Sequence, residues 1–170
     1  MKALVVYESL FGNTEEVAKA ITEGLSEHLD VELLEVTKAP PAITEPVDLI
    51  VAGGPTHAFS MTKQSTREEA YRKGASHGSP AVGLREWLEH LGKGPHSEPV
   101  ATFDTRVDKV RHLPGSAAKG AAKLVHRLGY PAAARAESFY VQDISGPLLE
   151  GELDRARAWG ERLGSDAVSR

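Results

Sequence analysis

Two nearly continuous apolar runs constrain this chain most: ALVVY at Ala3–Tyr7 and VDLIVA at Val47–Ala52. A strand with one wet face alternates apolar and polar residues, whereas a run that does not alternate is covered on both faces. Such strands belong to parallel sheets wrapped by helices. Three further apolar or β-branched runs read as strands, at Val31–Val36, Val100–Phe103 and Ser138–Val141. Amphipathic stretches lie among them. Val17, Ile21 and Leu25 share one helical face, and Ala118, Ala121, Val125 and Leu128 share another. Leu149, Leu153, Ala156 and Leu163 make a third stripe, and GLREWLEHL brings Leu84, Leu88 and Leu91 together. Strand–helix alternation implies right-handed crossovers and an α/β domain, with Leu4, Val5, Val6, Leu49, Ile50 and Val51 at the centre of its core.

Two segments break the alternation. Thr37–Pro46 carries three prolines and holds a single turn of helix at most. Ala58–Pro80 is polar, lacks a strong period and reads as a long loop on the active-site side, with a short helix around Thr66–Lys73. The 170 residues fit one domain over 1–165, with 166–170 as a frayed end. Trp87 and Trp159 fall on predicted helices and read as packing residues.

Composition excludes several functions. The absence of cysteine removes disulfides, thiolate metal sites, iron–sulfur clusters and a cysteine nucleophile. The histidines show no metal-ligating i, i+4 pair with a carboxylate base, so no metal is expected, and no G-x-S-x-G elbow supports a hydrolase. A formal charge of −4 argues against nucleic acid. No apolar run approaches the ~20 residues of a membrane span, and MKALVVYES is too short for a signal-peptide core. A cytoplasmic protein with no membrane partner is expected.

The turn SLFGNT, Ser9–Thr14, stands where the first strand becomes the first helix. A helix beginning there presents unpaired N–H groups and the positive end of its dipole, which suit an anion. Ser9, Asn13 and Thr14 add side-chain donors, and Gly12 allows a tight turn. Neither the P-loop nor the G-x-G-x-x-G pattern is present, which points to a mononucleotide phosphate. The competing reading is plain helix-start chemistry, with Asn13 and Glu16 as a capping box. After the third strand, GGPTHAF offers small residues and Phe59, which suit a flat heterocycle; the alternative is a plain strand-to-loop transition with Phe59 in the core. FDTR follows the fourth strand at the same sheet edge.

Taken together, SLFGNT, GGPTHAFSMT, STREEA, GLREWL, FDTR and the tail SFYVQDISGPLLEGELDRARAWG resemble the flavodoxin-like family of FMN proteins, specifically a bacterial single-domain branch. The resemblance implies a flavodoxin-like doubly wound five-stranded parallel sheet of order 2-1-3-4-5, with helices on both faces and FMN at the switch point. It implies that Ser9, Leu10, Phe11, Gly12, Asn13 and Thr14 form the phosphate loop, Phe11 through its backbone N–H where the family carries a hydroxyl. Pro55, Thr56, His57, Ala58 and Phe59 would line the ring, and Phe103, Asp104, Thr105 and Arg106 would form a third wall. No side chain is assigned a catalytic role, because the flavin carries the redox chemistry. The implied activity is electron transfer with a redox partner protein. The alternatives are an FMN-dependent NAD(P)H:quinone reductase, with Arg67, Arg72 and Lys73 meeting cofactor phosphates, and a non-redox binding module.

Overall fold

The computed structural model describes residues 1–170. Lys2–Tyr7 forms β1, buried along nearly its whole length because both of its faces are covered. Asn13–Leu25 follows as α1, Asp30–Glu35 as β2, and Leu49–His57 as β3. A short strand, β4 (Ser60–Met61), turns back on β3, and Gln64–Arg72 forms α2. Leu84–Glu89 is α3, Val100–Val107 is β5, Ala117–Arg127 is α4, Glu137–Val141 is β6 and Glu152–Val168 is α5.

The main strands stand in the order β2-β1-β3-β5-β6, all parallel, and β4 pairs antiparallel with β3 off that path. The expected five-stranded sheet is therefore six-stranded. The five apolar runs are neighbours in the expected spatial sequence, and the extra strand arises where the chain reverses after His57. In the segment 58–80 the short helix expected around Thr66–Lys73 is α2, and the strand β4 was not foreseen. Thr37–Pro46 holds only turns and bends. The C-terminal helix continues through Val168, beyond the expected end at 165.

Core packing divides on the two faces of the sheet. On one face α1 and α5 cover Ala3, Val5, Val51, Ala101, Phe103 and Phe139, joined by Trp159. The two helices cross closely: a Cβ on Gly160 would lie 2.2 Å from the Ile21 carbonyl oxygen. The other face buries Leu4, Val6, Ile50 and Ala52 under α3 and α4, with Trp87. Both tryptophans are thus packing residues. The expected stripe on α5 begins later than predicted: Leu149 precedes the helix and Leu153 is exposed, while Ala156, Trp159, Leu163 and Ala167 face the core.

Candidate functional site

The first loop is built by its own backbone. The Ser9 hydroxyl accepts from the Gly12 amide at 3.1 Å. Gly12 takes a left-handed φ of 94°, a conformation that costs any residue with a Cβ, and α1 starts directly after it. The capping box expected of Asn13 and Glu16 does not form, because Asn13 is already inside the helix and no side chain caps it. The amides of Phe11, Asn13, Thr14 and Glu15 consequently donate to no protein acceptor. Leu10 is buried against Ala70 and Ala75, with Phe11 packed beside it. The Leu10 carbonyl accepts from the Ser76 and His77 amides, both at 3.1 Å. Tyr71 donates to the His77 and Gly78 carbonyls and fixes the same strap. The His77 ring thereby lies over Gly12, 3.4 Å from where a Cβ would stand.

Behind this loop is a buried polar network. Glu8 accepts from Thr62 at 2.7 Å and from the Leu84 amide at 2.8 Å. Arg67, 0% exposed, donates to Thr62 and to the Pro80 carbonyl and pairs with Glu86 at 3.0 Å. Burial pushes the Glu8 carboxyl up, against the Leu84 and Thr62 hydrogen bonds and the Arg67 charge. Gly83 leaves room for this cluster: a Cβ there would sit 2.4 Å from Arg67. The expectation that Arg67 meets a cofactor phosphate is therefore corrected; its guanidinium ties α2 and α3 to the end of β1.

A cavity of about 470 Å³ opens beside this frame, within the ~300–1,000 Å³ typical of ligand sites. One wall is the end of β3 and its turn, Thr56, His57, Ala58 and Phe59. A second is α2, through Ser65, Thr66, Glu69, Ala70, Arg72 and Lys73. A third is Arg106, Val107 and Val110, and Ile144 closes the rim. A narrow pocket of about 20 Å³ shares Thr56, His57, Arg106, Val107 and Ile144 with it and reaches Asn13, Pro55, Thr105 and Val141. That throat leads from the cavity to the N-terminus of α1.

Two buried polar atoms on this wall have no protein partner, His57 Nε2 and Arg106 Nε. Burial holds the His57 imidazole down at about 4, with the Thr66 backbone acting in the opposite direction. Phe59 is 45% exposed at the lip. It sits with Ala58 in a two-residue hairpin turn where both residues take left-handed φ, 48° and 60°.

The five-strand parallel path with its covering helices is a fold shared with solved structures. A flavodoxin from the domain Archaea superposes with a TM-score of 0.66 at 18% identity, over 99% of each chain. The chain has the flavodoxin-like fold. Flavodoxin 1 from Bacillus cereus gives 0.63 at 15% identity, over 100% of this chain and 99% of that one. A WrbA-like flavodoxin from Agrobacterium tumefaciens gives 0.60 at 17% identity, over 99% and 98%. No family model matches the sequence, and no curated protein matches it.

Within the flavodoxin-like fold, the expected site residues divide. Asn13, Pro55, Thr56, His57, Ala58, Phe59, Thr105 and Arg106 line the cavity or its throat. Ser9 and Thr14 are buried beneath the turn that opens α1, the Thr14 hydroxyl paired with Thr105 at 2.8 Å. Phe103 is no ring wall: it packs on Phe139 and Trp159, and Gly53 leaves its ring room, since a Cβ there would fall 2.3 Å away. Asp104 is also withdrawn, accepting from the Ala118 amide at 3.0 Å to hold the start of α4. Sequence reasoning missed Val107, Val110 and Ile144. An isolated isoleucine in the polar stretch QDISG was the available signal for the last.

Proposed function

We propose that the chain is an FMN-binding electron-transfer protein, with the flavin ring in the 470 Å³ cavity and the phosphate at the N-terminus of α1. The observation that carries this reading is the pair of partnerless buried atoms, His57 Nε2 and Arg106 Nε, in a cavity whose throat leads to the free α1 amides. Buried polar atoms are otherwise almost always satisfied, so a polar ring edge is the natural complement. The residues present therefore fit FMN. Bound FMN supplies the redox chemistry, exchanging one or two electrons at its ring. The Phe11, Asn13, Thr14 and Glu15 amides bind a phosphate without any lysine. Phe59 covers the outer ring face from the lip, while Val107, Val110 and Ile144 exclude water from the opposite rim.

Fluorescence titration of ligand-free protein with FMN tests the reading. Tight one-to-one quenching is expected; a protein that stays colourless in excess FMN leaves the non-redox binding module instead.

One observation favours a second reading, FMN-dependent NAD(P)H:quinone reduction: Arg72 and Lys73 stand on the cavity wall formed by α2. Steady-state NADPH oxidation with benzoquinone separates the two. Absence of turnover by fully FMN-loaded protein leaves the carrier.

A further inference from the structure

We propose that Arg106 sets the redox poise of this site: a flavin bound in the cavity is held more tightly reduced than oxidised, so that its two-electron potential lies above that of free FMN. The inference rests on the FMN reading above and adds the sign of the site's preference.

Arg106 is 4% exposed on β5. Its Nη2 donates to the Val110 and Leu113 carbonyls of the following turn, at 3.0 and 3.1 Å, while Nε has no partner. Arg106 belongs to no ion pair. The other ionisable groups on the cavity wall do not offset it. Glu69 is engaged by Arg72 at 2.8 Å and Lys73 at 3.9 Å, at the exposed mouth. His57 is neutral near pH 7. The buried part of the wall therefore carries one uncompensated positive charge.

A buried cation without a counter-ion is unfavourable and favours any ligand state that brings negative charge to it. The oxidised flavin ring is neutral. Adding two electrons and one proton leaves the ring with one negative charge. An opposite charge within a few ångströms favours the charged form by about one to three pK units, which is a ten- to thousandfold difference in affinity. Affinity for the two redox states and the reduction potential are linked, so tighter binding of the reduced state raises the potential above that of free FMN.

The test compares dissociation constants for oxidised FMN and for dithionite-reduced FMN under anaerobic conditions, using wild type, Arg106→Gln and Arg106→Lys. Wild type is expected to bind reduced FMN at least about tenfold more tightly. Arg106→Gln should lose that preference, and Arg106→Lys, which keeps the charge, should retain most of it. Equal or weaker binding of the reduced form by wild type overturns the proposal, as does a Gln variant that keeps the full preference. Circular dichroism identifies a variant that fails to fold, and the wild-type ratio and the Lys variant then decide alone. Failure of the FMN reading is visible earlier, as no binding of oxidised FMN before any reductant is added, and it takes this proposal with it.

Discussion

Thr14 Oγ1, in the first turn of α1, and Thr105 Oγ1, on β5, lie 2.8 Å apart and buried. The contact ties the helix that offers its free amides to a strand that lines the cavity throat. Removing one hydroxyl leaves the other without a partner, at a cost of ~1–3 kcal/mol, whereas removing both is nearly neutral. Thr105→Val is therefore expected to lower stability by about 1–2 kcal/mol in urea denaturation, and Thr14→Val/Thr105→Val to recover most of the loss. Strict additivity of the two single changes would show that the hydroxyls do not interact.

The His57 imidazole gives stability a pH dependence of known sign. Its ordinary value is 6.5, and burial in the folded protein depresses it to about 4. Below pH 6.5 the unfolded chain takes up a proton that the folded protein refuses, so the stabilisation present above 6.5 is lost as pH falls toward 4. The slope is at most about 1.4 kcal/mol per pH unit. Glu8 and Asp104, both raised by burial, act with the opposite sign, so the comparison must be between variants. Denaturation of wild type and His57→Gln at pH 7, 5.5 and 4.5 should show a shallower loss in the variant. Parallel curves would mean that folding leaves the His57 pKa at its ordinary value.

The turn Ala58–Phe59 stores strain beside the cavity. A two-residue hairpin turn with positive φ at both positions favours Asn-Gly, and left-handed conformations cost other residues roughly 1–2 kcal/mol each. Replacing the pair by Ala58→Asn and Phe59→Gly should raise stability by on the order of 1–2 kcal/mol. The same change removes the aromatic at the lip, so FMN affinity should fall. Increased stability with an unchanged FMN dissociation constant would remove Phe59 from the ring contacts.

These elements also show what could be read from the sequence. The parallel strands were legible because burial on both faces abolishes alternation, as in ALVVY and VDLIVA. Their extensions into the site were not. Gly53, Gly54 and Pro55 on β3 pair with Phe103, Asp104 and Thr105 on β5, and neither stretch carries an apolar pattern. Once DTR is placed on a strand, the period of two separates Phe103 and Thr105 from Asp104 and Arg106. Position along the strand decides the rest: Phe103 and Asp104 lie inside the fold, while Thr105, Arg106 and Val107 at the carboxyl end line the cavity or its throat. The loop at Ser9–Thr14 was legible as the turn where the first strand becomes the first helix, but its roof of His77 was not, because it depends on Tyr71 and Leu10 meeting across the fold.

Arg67 is the clearest case of a residue whose role only the fold reveals, and its test separates structure from binding. Among the basic residues of 58–80, it is wholly buried, with Thr62, the Pro80 carbonyl and Glu86 as partners, while Arg72 is exposed and pairs only with Glu69. Removing one member of a buried charged network leaves the others uncompensated and costs ~3–5 kcal/mol, whereas an exposed pair is worth about 0–1 kcal/mol. Arg67→Met is expected to lower the stability of the ligand-free protein by a few kcal/mol, and Arg72→Met by less than about 1 kcal/mol. The additional change Glu8→Gln should restore part of the loss in Arg67→Met by removing the carboxylate left facing no cation. A ligand-free Arg67→Met protein as stable as wild type would show that the guanidinium does not hold this network together.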